Sequence, residues 1–126
     1  MLGKRLGGAD GPPVDKTPDF IKSIPVWKAI EDTTLVAYEM NGVPLPHLNG
    51  APARIVVPGW TGTYWIKHVN EITVIDEVYA GYWMSTAYRI PDNACACIPP
   101  GTTPTKTVPI MRCNVRSLIT SVTDGA

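Results

Sequence analysis

The sequence predicts an α+β fold rich in short strands, and three observations carry that expectation. Thirteen prolines and eleven glycines in 126 residues argue for turns and irregular connections over long helices. Two Asn-Gly pairs, Asn41-Gly42 and Asn49-Gly50, mark tight turns, because both residue types tolerate the positive φ such turns demand. Between the breakers lie short apolar runs. The clearest is Ile55 to Val57, headed by Arg54 and closed by Pro58-Gly59, which reads as a buried strand delivering a loop.

A chain of this length suffices for one domain with a modest core. Its hydrophobic share of 44% is ordinary for a soluble globular protein. Eleven basic and eleven acidic residues cancel, so neither a nucleic-acid nor a membrane partner is expected. No apolar run approaches the roughly 20 residues of a membrane span. The polar, glycine-rich first ten residues do not read as a signal peptide.

In order along the chain, residues 1–17 read as irregular, with Gly7-Gly8 and Gly11-Pro12-Pro13 as breakers and Asp10 as a turn residue. Asp19 to Ile24 reads as a short strand with Phe20 and Ile24 on one face. Pro25 suits a helix start, and Val26 to Ile30 gives one or two turns. Leu35 to Met40 reads as a strand because Asn41-Gly42 follows at once. Pro44 and Pro46 confine 43–48 to an edge or an extended loop. A helical turn over Trp65 to Val69 is expected, then a strand over Glu71 to Ile75. Aromatics crowd Tyr82 to Arg89. From Asp92 to Lys106 runs a proline-bearing connection of about fifteen residues, a length at which loops are usually functional or flexible. Val108 to Val122 is strand-like.

Cys95 and Cys97 lie two apart in that connection, and Cys113 follows in a strand-like stretch. A fourth zinc ligand is missing, so no zinc site is expected. Three ordinary thiols are the leading expectation, with a disulfide from Cys113 to one of the pair as the alternative. Among charged residues, Arg54 at the head of a buried strand stands out. A buried arginine needs a partner, either a structural carboxylate or an anionic ligand whose phosphate its planar fork suits. Lys67 after the aromatic loop and Tyr88 beside Arg89 complete the candidates.

Four pieces, YEMNGVPLP, NGAPARIVVPGW, TYWIKH and GYWMSTAYRIP, resemble the molybdenum-cofactor domain of the sulfite oxidase family, and most of all its bacterial sulfite dehydrogenase branch. The resemblance implies part of a sulfite-oxidase-type molybdopterin-binding fold over 1–91, a Pro/Cys-rich linker over 92–107, and the start of an immunoglobulin-like dimerisation domain over 108–126. It implies cofactor contacts at Asp10, Asn49, Arg54, Trp65, Ile66 and Lys67, and an active-site tyrosine at Tyr88. The implied reaction is oxidation of sulfite to sulfate, with electrons passing to a cytochrome c, in the periplasm. A homodimer is implied through the C-terminal domain. The family's molybdenum-binding cysteine lies upstream of the matched region, and none of the three cysteines here has its context. Two other readings therefore accompany the enzyme fragment: an inactive remnant or interaction module, and a molybdenum enzyme acting on another sulfur compound.

Overall fold

A computed structural model describes residues 3–8, 16–113 and 120–121. In chain order the elements begin with strand β1 (Gly3–Gly8), strand β2 (Ile21–Pro25) and helix α1 (Val26–Ala29). Three short strands follow: β3 (Leu35–Ala37), β4 (Glu39–Met40) and β5 (Val43–Pro44). After a 3-10 turn at His47–Asn49 comes β6 (Arg54–Val56). A second 3-10 turn at Gly62–Tyr64 leads to β7 (Val69–Ile75) and helix α2 (Tyr82–Ser85). Strands β8 (Arg89–Pro91) and β9 (Thr107–Pro109) complete the set.

β1 lies between β2 and β7 in a three-stranded antiparallel sheet. This corrects, for residues 3–8, the expectation that the first seventeen residues are irregular. Glycine hides the alternation by which a strand is recognised, while pairing on both sides satisfies the backbone of β1. Its glycines also serve close approach. A Cβ on Gly8 would meet the Lys67 carbonyl at 2.7 Å, and the ladder to β7 shifts register at Gly7/Gly8.

The strand expected over Leu35 to Met40 is split. β3 pairs with β6, and β4 turns through Asn41 (φ 55°) and Gly42 (φ 77°) to pair with β5. The helical turn expected over Trp65 to Val69 forms earlier, at Gly62–Tyr64. The later segment, 65–68, is a series of bends, with His68 at φ 49°, that hydrogen-bonds to the chain around β6 before β7 begins at Val69. The Ile55 amide donates to the Ile66 carbonyl at 2.8 Å, that of His68 to Gly50 at 3.2 Å, and that of Val69 to Ala53 at 2.9 Å.

Ile24, Ile55, Val57, Trp60, Tyr64, Ile66 and Met84 form the buried core. Phe20, Trp65, Val69 and Met111 pack against it. The core thus gathers β2, β6, the 60–66 loop and α2. Met84 reaches it because Gly81 and Tyr82 accept the amides that close one helical turn. β8 and β9 pair antiparallel, so the 92–106 connection begins and ends at one ladder. Beyond β9 the chain returns to the core, with the Thr61 amide donating to the Met111 carbonyl at 2.8 Å. Residues 114–119 and 122–126, most of the expected dimerisation strand, lie outside the described residues.

The cysteines differ from both expectations. Cys95 and Cys97 are joined in a disulfide, and Cys113 is free and exposed. Asn93 holds this loop, its Nδ2 donating to the Cys97 carbonyl at 2.8 Å and its Oδ1 accepting the Cys97 amide at 3.2 Å. That local loop brings the two cysteines together, with Cα atoms 5.1 Å apart. No helix among the described residues is long and apolar enough to cross a membrane.

Candidate functional site

Arg54 opens β6, whose central residue Ile55 is buried, and its side chain is half-buried. Its Nη1 donates to the Asn49 carbonyl at 2.9 Å. The guanidinium lies 5.9 Å from the centroid of the Trp65 ring. Its Nε is buried with no hydrogen-bond partner. The structural carboxylate weighed as a partner is not there among the described residues. A carbonyl and a ring face satisfy part of the guanidinium and neutralise none of its charge.

Gly50 sets the distance from Arg54 to Lys67. It sits at φ 108° as the residue after the 47–49 turn. A Cβ there would come within 3.0 Å of Lys67 Cγ and 3.1 Å of Arg54 Cβ. Only glycine lets the two basic stems flank this turn so closely. Lys67 is exposed and donates to the Leu48 carbonyl at 2.5 Å. His68, next in sequence, meets the His47 ring at 4.8 Å between centroids with the planes tilted by 38°, and its Nδ1 donates to the Ala51 carbonyl at 2.6 Å. Asn49, expected as a ligand contact, serves here through its backbone oxygen on Arg54.

A cavity of about 250 Å³ opens beside these residues, lined by Gly8, Phe20, Gly62, Thr63, Trp65, Ile66 and Lys67. Trp65 is fixed in it by its indole N–H, shared between the carbonyls of Val57 (3.0 Å) and Trp60 (3.2 Å). The larger cavity, about 550 Å³, is bordered mainly by apolar side chains including Ile24, Trp27, Val78 and Met111, and holds none of the expected site residues. The smaller one carries the chemistry, because three expected contacts line it and a fourth, Arg54, packs on one of them.

Tyr88 stands one ring away. Phe20 lines the cavity and meets the Tyr88 ring edge-on at 6.1 Å, and Trp83 lies 5.8 Å from it. Tyr88 takes φ 53°, a left-handed conformation uncommon for an aromatic residue, and its side chain is 45% exposed. The structure therefore brings Asn49, Arg54, Trp65, Ile66 and Lys67 together and sets Tyr88 beside them. Asp10 lies outside the described residues.

Lys22 was missed by sequence reasoning. It is fully buried in β2, with Nζ 2.6 Å from the Trp83 carbonyl and 4.9 Å from the centroids of both Tyr64 and Tyr88. Burial brings its pKa down to about 8. The legible signal was its place between Phe20 and Ile24 in an alternating strand, which points it inward with them. Tyr64 beneath it is pushed up to about 12 by burial. Among the described residues its hydroxyl donates to the Met84 sulfur alone, at 3.8 Å.

A family model for the oxidoreductase molybdopterin binding domain matches residues 5–83. The chain belongs to that family. The molybdopterin-binding domain is 41% identical over 69 residues to mitochondrial sulfite oxidase of Mus musculus, covering 53% of this chain and 13% of that protein. It is 49% identical over 59 residues to the NADPH nitrate reductase of Fusarium oxysporum, covering 47% of this chain and 6% of that protein. Its fold matches the sulfane dehydrogenase SoxCD of Paracoccus pantotrophus with a TM-score of 0.62 and 27% identity, over 84% of this chain and 24% of that one. The chain thus spans a quarter or less of each of these proteins.

A molybdopterin cofactor can be tested against these residues. The unpaired Arg54 Nε and the glycine cradle between Arg54 and Lys67 fit its anionic, phosphate-bearing end. Among the described residues no cluster of three His, Cys, Asp or Glu side chains is placed to hold a metal ion.

Proposed function

We propose that this chain is a section of a molybdenum-cofactor oxidoreductase that oxidises sulfite to sulfate, working in the periplasm with a cytochrome c as electron acceptor and assembling as a dimer. One observation supports the reading: the Arg54 guanidinium has no carboxylate partner and an unpaired Nε among the described residues, and its stem lies against the same glycine, Gly50, as the stem of Lys67. Two basic side chains at one turn, with no carboxylate paired to either among the described residues, suit an anionic group.

In this reading Arg54 and Lys67 hold the phosphate-bearing end of the cofactor, and the Trp65-Ile66 backbone and the Asn49 turn line its path. Asp10 joins the same surface by family resemblance. The bound cofactor supplies the two-electron oxidation of the sulfur oxyanion. Tyr88 Oη donates a hydrogen bond to that oxyanion and holds a proton at the site as electrons leave.

That parts of this chain match enzymes named for sulfite, nitrate and sulfane supports assigning it to cofactor binding rather than substrate choice. The sulfane dehydrogenase match, which spans more of this chain than either of the other two, favours a second reading: oxidation of a sulfane-sulfur compound.

In the complete enzyme, Arg54→Ala should lower molybdenum and pterin content at least tenfold, a loss in proportion to one charge-assisted contact. Full occupancy would sink the anion-site reading. Tyr88→Phe should cut turnover and leave cofactor content intact; unchanged turnover removes Tyr88 from the chemistry. Turnover on a sulfane-sulfur compound without turnover on sulfite selects the second reading.

A further inference from the structure

Lys22 is a full positive charge in the interior that the cofactor site, as described, does not use. Its side chain is 0% exposed. No carboxylate pairs with it among the described residues. Its compensation consists of one carbonyl, that of Trp83 at 2.6 Å, and two ring faces, Tyr64 and Tyr88, each 4.9 Å away. A methionine would fill the same space without the cost of desolvating an ammonium, and replacing buried charges with apolar groups is often stabilising. Core packing alone therefore does not account for a lysine here.

The ring faces do account for it. Tyr64 is locked in the core and needs no further restraint. Tyr88 is the opposite: half its surface is free, and its backbone holds a left-handed φ of 53°. Its neighbours restrain it from the sides, Phe20 edge-on and Trp83 tilted at 36°. The cation restrains the ring face. Trp83, whose carbonyl anchors Lys22 Nζ, also packs its ring on Tyr88. So β2 supplies the charge, α2 supplies its anchor, and both converge on one phenol.

We propose that Lys22 is a positioning residue for Tyr88, its ammonium anchored on the Trp83 carbonyl and holding the phenol ring by its face. This rests on the assignment of Tyr88 to the reaction site. The charge acts through the ring quadrupole, which attracts a desolvated cation more strongly than a solvated one. The lowered pKa of Lys22, about 8, agrees with a desolvated ammonium whose proton stays in place at neutral pH.

The test uses 3-fluorotyrosine incorporated at Tyr88 of the complete enzyme and its fluorine NMR resonance. Lys22→Met removes charge and donor. Lys22→Gln keeps a donor for the Trp83 carbonyl, removes only the charge, and carries the comparison if Lys22→Met does not fold. Both should shift the Tyr88 resonance. In the complete enzyme Lys22→Gln should lower kcat about tenfold, the scale of one desolvated cation–π contact, with molybdenum content unchanged. In a Tyr88→Phe background the same substitution should cost far less, because its target hydroxyl is gone. An unmoved resonance overturns the proposal, as does an equal loss in both backgrounds. If Tyr88→Phe alone leaves turnover intact, the reaction-site assignment falls, and the resonance still decides whether Lys22 holds the ring.

Discussion

The buried Lys22 makes a prediction about alkaline stability that needs no cofactor. Its pKa drops from 10.5 to about 8 in the folded chain because burial penalises the charged form. Below pH 8 both folded and unfolded chains hold the proton, and the folded state bears the whole desolvation cost. Between pH 8 and 10.5 the unfolded chain holds one proton more than the folded one, so stability rises with pH by about 1.4 kcal/mol per unit. Over that window the gain is on the order of 3 kcal/mol, a large part of a small domain's stability. The groups facing Lys22 are the Tyr64 and Tyr88 rings and the Trp83 carbonyl. Urea unfolding followed by fluorescence of the four tryptophans, at intervals from pH 7 to 10, would measure the slope. Lys22→Met should lack it. The difference in unfolding free energy between wild type and variant should therefore change by the stated amount across the window, whatever its value at pH 7. Parallel curves would refute the claim that the ammonium is desolvated.

Other expectations follow from the same geometry. Tyr64→Phe should leave neutral stability within about 1 kcal/mol, because the hydroxyl loses only a thioether contact. It should also remove an alkaline decline: the Tyr64 phenol, pushed up to about 12, stabilises the fold below pH 10 and loses that contribution as pH rises toward 12. Equal alkaline curves for the two proteins would count against its burial. Gly50→Ala forces a Cβ at φ 108° against Lys67 and Arg54, and should cost about 2 kcal/mol in urea unfolding, the scale of left-handed strain for a non-glycine residue. A silent Gly50→Ala would show that the two basic stems are not held by this turn.

Much of the site could be read in the sequence because its signals are local. Arg54 at the head of β6 follows from a short apolar run beside a Pro-Gly turn. Asn41-Gly42 announced a hairpin by its backbone chemistry alone, and the 3-10 turn ending at Gly50 was marked by Asn49-Gly50 in the same way. The misses share a cause too. β1 was unreadable because glycine carries no side chain to alternate, and only two neighbouring strands make it a strand. The segment over 65–68 looked helical and became a run of bends because its carbonyls and amides found the 50–55 backbone. The Cys95–Cys97 disulfide depends on how Asn93 folds one loop, which no count of cysteines contains.

The amino-acid sequence by itself determined the chemistry available: which residues carry charge, where the chain must turn, and, through four linked motifs, which family it resembles. Tertiary structure alone decided which groups meet. Among the described residues it gave Arg54 no carboxylate, wedged Gly50 between two basic stems, and buried Lys22 under two tyrosines supplied from more than forty residues away. The reason is physical. Turn and strand preferences act over a few residues, whereas the cost of an uncompensated charge is set by whatever neighbours the folded chain places around it.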